Sequence, residues 1–421
     1  MCSSKICCDN EYAIWHETTR HEDASKSIRV SFPEKDIAII GGGIGGVATA
    51  VALGRLGIKA TVYERAPGLR EVGAGVMLWP NATRVLRELG LLDQVIARSG
   101  ANTHFLVRAN TGATLMNIAL GSFDVPALCT RRADLLTVLL GALPPERIRL
   151  GHELVHLEQS DSKVRLHFAA SSAVQGIEER AGRFIEHDAV IAADGLRSRV
   201  REELFGPSEP VYRGYTVWRG VAPYDGRAIL RGSNSETWGR GKRFGILNTG
   251  QDRFTWYAAV NVGKDHVDAR AGRKHELLEM FGGWHEPIPH LIRATDETVI
   301  LKNGAFDRAP LPRWTRGPIT LLGDAAHPCT PNLGQGCCMA LEDALVLAKC
   351  ISNSPSIANA FERYESLRRP RATHIQQRSL TMGWIGQWDN RLLVAARKAI
   401  TSLLPARLFE YNLRRVYSYE T

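Results

Sequence analysis

A glycine-rich segment, Gly41–Gly46, lies between a short apolar run and a helical pattern of apolar residues. Gly41, Gly43 and Gly46 satisfy the spacing G-x-G-x-x-G, and Glu64 ends the next apolar run. At this spacing the first glycine permits a tight turn, the second lets the backbone approach a pyrophosphate, and the third lets a helix pack closely on a strand. A carboxylate at the position of Glu64 accepts hydrogen bonds from a ribose that has no 2′-phosphate. The segment therefore predicts a site for FAD or NAD rather than NADP.

Two further segments place polar residues directly after apolar runs. Asp194 and Gly195 follow one run, while Asp324 follows another and leads into a glycine-rich stretch at 331–336. A carboxylate at a strand end can bind a second ribose, and a glycine-rich stretch that opens a helix can point N–H groups at another polar group. We therefore predict that this stretch and the first glycine segment hold the two ends of one long dinucleotide.

The elements that must position these residues form a parallel sheet with helices packed on it. Apolar, β-branched residues predict buried strands at 36–40, 60–64, 189–193 and 319–322, and helical spacing runs from Val47 to Leu56. The first strand, this helix and the second strand make one βαβ unit within about 30 residues.

The stretch from about 208 to 304 has a different pattern, with turn residues and strand-like runs such as 216–218 and 254–257. This pattern predicts an antiparallel β-rich insert, whereas the chain from Gly336 onward is mainly helical. Two domains interleaved in sequence explain this order better than two domains in tandem.

Composition excludes several classes of protein. The 421 residues are 44% hydrophobic and 23% charged, which excludes a mainly disordered chain. The 53 Lys and Arg against 44 Asp and Glu give a net charge of +9, but the arginines are interleaved with acids. We therefore expect an anionic small molecule as partner and no nucleic acid. We also expect no metal, because His285 and His290 are spaced one residue too far apart for a zinc-binding helix and two prolines lie between them. The polar residues 1–34 contain no apolar core of a secretory signal, so we expect a cytoplasmic location.

Three motifs together resemble those of the single-component, class A flavoprotein aromatic monooxygenases. They are GGGIGG at 41–46 with the following Glu64, ADGLRSRVR at 193–201, and GDAAHPCTPNLGQGCCMALEDA at 323–344. The salicylate-hydroxylase-like branch is the most similar, zeaxanthin epoxidase is more distant, and the similarity runs from about 36 to 371. The resemblance implies an α/β fold: a doubly wound FAD-binding domain with an interleaved β-sheet substrate domain and a helical C-terminal part.

We divide the chain accordingly. The division is a mobile polar extension at 1–34, the FAD-binding domain at 35–110, 111–207 (with interleaved sheet segments) and 305–371, the β-rich substrate domain at 208–304, and C-terminal helices at 372–421. The resemblance implies that these residues bind FAD: Gly41, Gly43, Gly45, Gly46, Glu64, Arg65, Ala74, Gly75, Arg132, Asp194, Gly195, Asp324, Pro331, Gly334, Gln335, Gly336 and Cys337.

The resemblance also implies the chemistry. NADH or NADPH reduces the bound FAD, O2 then gives a flavin C4a-hydroperoxide, and this species hydroxylates an electron-rich aromatic or polyketide-like small molecule.

Two arginines are candidate catalytic residues, because relatives in this family use an arginine at one or other of these places to bind or polarise the substrate. Arg243 is the first choice and Arg219 the second, since either could pair with the carboxylate or phenolate of an anionic or phenolic substrate. Trp218 and Trp256 could stack on a substrate ring, although an aromatic residue in a strand usually belongs to a core.

Alternative functions remain open at this point. They are a flavin epoxidase acting on an isoprenoid or quinone-attached alkene near a membrane, a flavoprotein reductase or dehydrogenase, and a non-catalytic flavin-binding protein. The C-terminal stretch 391–419 combines apolar and basic residues and could lie on an anionic membrane. Packing of this stretch on its own body or on a dimer partner is favoured, and we expect a monomer or a homodimer.

Overall fold

The computed structural model describes residues 35–69, 75–120, 123–160, 162–169, 184–224, 229 and 232–419. The expectation for residues 1–34 and the FAD contact predicted for Ala74 lie outside the described residues.

The elements are numbered in chain order. The strands are β1 (Ile37–Ile40), β2 (Ala60–Glu64), β3 (Gly75–Leu78), β4 (Gly100–Ala101), β5 (His104–Ala109), β6 (Thr114–Ala119), β7 (Leu128–Arg131), β8 (Ile148–Leu150), β9 (Leu154–Gln159), β10 (Val164–Phe168), β11 (Phe184–His187), β12 (Ala189–Ala192), β13 (Val211–Pro223), β14 (Ser233–Trp238), β15 (Lys242–Asn248), β16 (Arg253–Asn261), β17 (Leu301–Asp307), β18 (Thr315–Arg316) and β19 (Ile319–Leu321). The α-helices are α1 (Ile44–Arg55), α2 (Pro80–Glu88), α3 (Leu92–Ile96), α4 (Arg132–Gly141), α5 (Arg199–Phe205), α6 (Arg273–Phe281), α7 (Ile288–Ala294), α8 (Gly336–Ser352), α9 (Ile357–Gly386), α10 (Arg391–Leu403) and α11 (Ala406–Tyr417).

Sheet I, with the strand order β18-β19-β12-β1-β2-β8, is the parallel sheet that the sequence predicts. β1 pairs in parallel with β2 and β12, and only β18, at the edge, runs antiparallel to its neighbour. β1 and β12 are buried along their whole length, which explains why their residues form continuous apolar runs rather than an alternating pattern. The predicted buried strands are confirmed as β1, β2, β12 and β19.

The turn between β1 and α1 requires two of its glycines for steric reasons. Gly41 has a φ of 109°, and a Cβ there would collide with the carbonyl oxygen of Ala193. A Cβ on Gly46 would collide with the carbonyl oxygen of Gly41. Only glycine therefore lets α1 begin this close to the ends of β1 and β12.

Sheet II, with the strand order β17-β13-β16-β15-β14-β5-β6, is antiparallel except for the pair β14–β5. Its back face packs Trp218, Phe244 and Trp256 in a core with apolar residues of α6 and α7, such as Phe281 and Leu291. Successive residues of a strand point to opposite faces, so alternate residues of β13 to β16 are left for the other face.

Sheet II takes strands from outside the predicted insert. The hairpin β5–β6 belongs to this sheet, so the predicted boundary at 110 falls between two paired strands. The boundary at 371 falls inside α9, which continues through Pro370. Both boundaries are corrected, because strand pairing and helix continuity, rather than a change of sequence pattern, decide which segments share a unit.

An arginine and two acidic residues form a buried ion-pair cluster between α8 and α9. Arg368 Nη1 lies 2.5 Å from Glu342 Oε2, and its Nε lies 2.7 Å from Asp343 Oδ1, with all three side chains fully buried. Burial alone would raise the pKa of Asp343, but His327 and Arg368 beside it hold that pKa well below its usual range. The carboxylate therefore stays ionised opposite the arginine.

This cluster extends to the two loops that follow β19. Asp343 Oδ2 accepts hydrogen bonds from Gly323 N at 3.0 Å and from His327 Nε2 at 2.5 Å. Asn81 Nδ2 donates to Glu342 Oε1 at 2.6 Å and to Gln335 Oε1 at 3.0 Å. The ion pairs thus fix the turn after β19 and the loop that enters α8.

We predict that replacing Arg368 by Leu destabilises the protein by about 3–5 kcal/mol, because two buried carboxylates lose the counter-charge that they share. Chemical denaturation followed by circular dichroism measures the free energy of unfolding. Arg369→Leu is the matched control: this side chain is 40% exposed, and its loss should cost only about 0–1 kcal/mol. Equal stability of the two variants would contradict the prediction.

Candidate active site

A cavity of about 530 Å³ lies where the carboxyl ends of the sheet I strands meet sheet II. The predicted residues that line it are Gly45, Gly75, Arg132, Gly195, Asp324, Pro331, Gly334, Gly336, Cys337, Arg219 and Arg243. The predicted residues that do not line it are Gly41, Gly43, Gly46, Glu64, Arg65, Asp194, Gln335, Trp218 and Trp256. The structure therefore brings much of the predicted cofactor set and both candidate arginines to one cavity.

The N-terminus of α1 provides an open anion-binding end beside this cavity. α1 begins after Gly43 with no side-chain cap, and the nearest atom to a Cβ built on Gly43 is Arg132 Nη2, at 3.9 Å. Glu64 ends β2 next to this turn, where it accepts hydrogen bonds from Gly42 N at 2.7 Å and from Ala66 N at 2.8 Å. The free first-turn N–H groups suit a phosphate, and each oxygen of Glu64 keeps acceptor capacity for a ribose hydroxyl.

Asp194 and Gly195 form the turn after β12, where Gly195 has a φ of 82°. Asp194 Oδ2 accepts a hydrogen bond from Val200 N at 3.3 Å, whereas its Oδ1 is buried and is bonded by none of the described residues. Burial raises the pKa of this carboxyl group. A buried carboxylate oxygen without a partner, next to a cavity, fits a ligand hydroxyl or N–H group.

Asp324 lies in the turn after β19 and faces the cavity. Its side chain is accessible from the cavity, while burial in the surrounding protein raises the pKa of its carboxyl group. Arg201 of α5 donates from Nη1 to the carbonyl oxygens of Ala325 and Ala326, both at 3.2 Å. These bonds fix the turn, so Asp324 is held at the cavity wall.

A second helix N-terminus reaches the same cavity. Gly334 has a φ of 60°, which only glycine adopts freely, and α8 begins at Gly336 without a side-chain cap. Gly334, Gly336 and Cys337 line the cavity, while Gln335 is buried behind them. Two uncapped helix N-termini and the acceptor-bearing Glu64, Asp194 and Asp324 therefore fit the two ends of an FAD molecule.

Arg243 lies on β15 with its charge neutralised inside the protein. The side chain is 4% exposed, and its Nη1 lies 3.0 Å from Glu236 Oε1. Its Nε donates to Gln387 Oε1 at 2.8 Å and its Nη2 to Asn332 Oδ1 at 2.6 Å. Burial lowers the pKa of Arg243, but Glu236 and nearby tyrosines raise it by more than burial lowers it. The pKa is therefore above its usual value, and Arg243 remains a cation.

Arg219 lies on β13 and has far fewer partners. Its Nη1 donates to Asn303 Oδ1 at 3.3 Å, and no carboxylate among the described residues pairs with it. Burial lowers its pKa, and the cation Arg132 lowers it further. Arg219 therefore brings to the cavity a positive charge that the described part of the chain does not neutralise.

The prediction that Trp218 and Trp256 stack on a substrate ring is corrected. Both side chains are fully buried in the core behind sheet II, where Trp256 Nε1 donates to Thr295 Oγ1 at 2.7 Å. Trp218 adjoins Arg219 on one strand, so the two side chains must point to opposite faces. That alternation is visible in the sequence and could have excluded one member of the pair.

Sequence reasoning missed several polar residues of the cavity, among them Tyr215, Glu236 and Tyr257, whereas Asn332 lies within the predicted glycine-rich stretch. Tyr215 OH donates to Asn332 Oδ1 at 3.1 Å, and Tyr257 lies directly opposite Arg219 in the pairing of β13 with β16. Burial raises the pKa of both tyrosines, so both are protonated at neutral pH. Because alternate residues of a strand share a face, the position of Arg219 on β13 would have indicated Tyr215 as well, whereas Glu236 carries no comparable signal.

A doubly wound domain with this cradle, closed by a β-sheet domain over a common cavity, defines a flavin-dependent oxidoreductase. Comparisons with known proteins agree. The sequence pattern of the FAD binding domain family matches residues 34–215 and 305–379. The chain is 36% identical to the aurachin C monooxygenase/isomerase of Stigmatella aurantiaca, over 90% of this chain and 97% of that protein.

Two further similarities extend this result. The chain is 33% identical to the 6-hydroxynicotinate 3-monooxygenase of Bordetella bronchiseptica, over 84% of this chain and 93% of that protein. The structure of Klebsiella pneumoniae HpxO with FAD and uric acid matches with a TM-score of 0.82 and 26% identity, over 91% of this chain and 97% of that one.

The chain therefore belongs to the FAD binding domain family. It is an FAD-dependent monooxygenase with NADH or NADPH as co-substrate, which confirms the predicted family, fold class, cofactor and type of enzyme.

The role of the last glycine of the motif, Gly46, can be separated experimentally from that of the middle one, Gly43. Gly46→Ala should disrupt folding, because the added Cβ collides with the carbonyl oxygen of Gly41. Gly43→Ala should leave the free energy of unfolding of the apoprotein unchanged but lower FAD affinity about tenfold or more, by about 1.4 kcal/mol per factor of ten, because a methyl group fills the phosphate space. Fluorescence titration of the apoprotein with FAD gives the affinity.

Gly54→Ala is the control for this comparison, since no atom lies within 4 Å of a Cβ at this position of α1. It should leave FAD affinity unchanged. Normal FAD binding by Gly43→Ala would mean that the phosphates lie elsewhere.

Proposed function

We propose that the protein hydroxylates an aromatic small molecule that carries a carboxylate or an acidic hydroxyl group, and that Arg219 binds this group. The observation that carries the proposal is the charge balance of the cavity. Arg243 is paired with Glu236, whereas Arg219 has no acidic partner among the described residues. A cation held in such a place gains most from an anionic ligand. This reverses the order in which the sequence ranks the two arginines.

The names of the similar proteins support the same class of substrate. One acts on 6-hydroxynicotinate, and another was crystallised with uric acid. Both molecules are acidic heteroaromatic rings. The apolar part of the cavity wall, which includes Phe105, Val107, Met116 and Ile118, suits the ring and its hydrocarbon substituents.

We also propose roles for the residues that would hold FAD. Glu64 and Asp324 would accept hydrogen bonds from its hydroxyl groups, and the N-terminus of α1 would face its phosphates. The N-terminus of α8, at Gly336 and Cys337, would stabilise negative charge at the other end. Bound FAD supplies the electron transfer and the activation of O2.

The remaining cavity residues would orient the substrate and exclude water. Arg243 would act as a positioning residue, because it joins Glu236 of sheet II to Asn332 of the loop before α8. Tyr215 and Tyr257 would offer neutral O–H groups, since burial keeps both protonated. Arg219 would favour the ionised form of the substrate and so raise the electron density of its ring.

Replacing Asp324 by Ala should lower FAD affinity about ten- to a hundredfold, or about 1.5–3 kcal/mol, because a buried ribose hydroxyl loses its charged acceptor. The measurement is the fluorescence titration described above. Asp265→Ala serves as the control, since that carboxylate is exposed on the loop after β16. An unchanged dissociation constant for Asp324→Ala would place the ribose elsewhere.

The proposed substrate class is tested by comparing a charged and an uncharged probe on the wild type and on variants of Arg219. The stimulation of NAD(P)H oxidation is measured with 6-hydroxynicotinate and with its uncharged amide, for wild type, Arg219→Lys and Arg219→Ala. We expect the acid to stimulate the wild type more strongly. The Ala variant should lose this preference by about ten- to a hundredfold in KM. The Lys variant should recover part of it, because it keeps the charge but not the planar fork.

Arg293→Ala is the control, because this arginine is exposed on α7 behind the same sheet. FAD content should stay normal in every variant. If the amide stimulates the wild type as well as the acid does, or if Arg219→Ala keeps the preference, the substrate is neutral and the proposal fails in favour of epoxidation.

A further inference from the structure

Helix α10 buries polar residues and exposes apolar ones, which is the reverse of an ordinary surface helix. Its buried residues are Arg397 and Thr401, which are polar. Its exposed residues include Leu392 at 80%, Ile400 at 54% and Leu403 at 82% exposure. In a soluble helix the apolar stripe normally faces the core, so this orientation needs an explanation.

The orientation of α10 is fixed by its polar side. Arg397 Nη1 donates to the carbonyl oxygens of Ile385 and Gly386, at 2.8 and 2.6 Å, and its Nη2 donates to that of Gly239 at 2.6 Å. Its guanidinium also lies over the Trp238 ring, 5.1 Å from the centroid. Rotating α10 to hide its leucines would break all of these contacts inside the protein.

The outward residues form one continuous stripe. Leu392, Ala399 and Leu403 recur at the helical repeat and lie opposite Arg397, and Leu393 and Ile400 widen the stripe on one side. On α9, Trp384 is also exposed, at 65%. Among the described helices, none is long and apolar enough to cross a membrane.

Positive charge borders the stripe. Arg391 and Lys398 are exposed on its other side, one above the other on the helix. From residue 391 to 421 the sequence has six Arg and Lys against two Asp and Glu, although the buried Arg397 does not contribute to this surface. An apolar stripe with cations along its edge is the pattern of a helix that lies in an anionic lipid interface.

We propose that the outward face of α10 docks on an anionic membrane surface, with its leucines in the acyl region and Arg391 and Lys398 at the headgroups. A second copy of the chain fits less well. A symmetric contact would set the same basic patch on both partners side by side, and like charges oppose such an interface.

The docked helix is also a wall of the cavity. Thr401 of α10, Met382 of α9, and Leu413 and Tyr417 of α11 line the cavity from the inner side of these helices. The membrane would therefore lie directly outside the helical wall of the active site.

The test is co-sedimentation of the full-length, FAD-loaded protein with lipid vesicles. One set of vesicles contains phosphatidylcholine and phosphatidylserine, and the other contains phosphatidylcholine alone. We expect stronger binding to the anionic set. The double variant Leu392→Gln/Leu403→Gln should bind about tenfold more weakly or worse, and Arg391→Gln/Lys398→Gln should lose about fivefold per charge on anionic vesicles only.

Val267→Gln is the matched control, because Val267 is an equally exposed apolar residue, at 82%, on the loop between β16 and α6. FAD content and thermal stability should be the same in all variants, since every substituted residue is exposed. Absence of vesicle binding, or binding that the leucine variant retains, overturns the proposal. Sedimentation of the vesicle-free protein as a dimer that Leu392→Gln/Leu403→Gln dissociates also overturns it, in favour of a second copy.

Discussion

The rest of the structure depends on one charge that has no contact with water, that of Arg368. It is buried against Glu342 and Asp343, and a partner removed from this group would leave an uncompensated ion in a medium of low dielectric constant. Because Asp343 also accepts a hydrogen bond from Gly323 N, the ion pairs set the turn that carries Asp324. This part of the cavity wall is therefore held in place by groups that do not themselves line the cavity.

The part of the cavity that sheet II lines is organised by the alternation of side chains along its strands. In β13, β15 and β16, one face contributes to an aromatic core under α6 and α7, and the other face contributes polar groups such as Arg219, Arg243 and Tyr257 to the cavity. Arg219 and Arg243 both face the cavity, but they differ in their partners. Arg243 is paired with Glu236, whereas Arg219 has no acidic partner among the described residues.

The C-terminal helices close one side of the cavity, and α10 does so with its polar side inward and its apolar side outward. Arg397 turns the polar side of α10 inward, where backbone carbonyls accept its hydrogen bonds, and the leucines are left outside. The inner ends of α9 and α11 add Met382 and Tyr417 to the cavity wall. The wall of the active site and a candidate docking surface are thus two sides of the same layer of helices.

The sequence by itself determined the βαβ unit, the glycine cradle and the family, because these are local: Gly41, Gly46 and Glu64 act through spacing along one short segment. It also placed Asp194 and Asp324 at strand ends, since parallel strands present their carboxyl ends at one edge. Only the tertiary structure decided which arginine is neutralised, because Glu236 and Arg243 meet through strand pairing. It likewise decided that β5 and β6 join sheet II and that α10 shows its apolar face to the outside. Strand partners and helix rotation depend on contacts between distant segments, and no spacing in the sequence encodes those contacts.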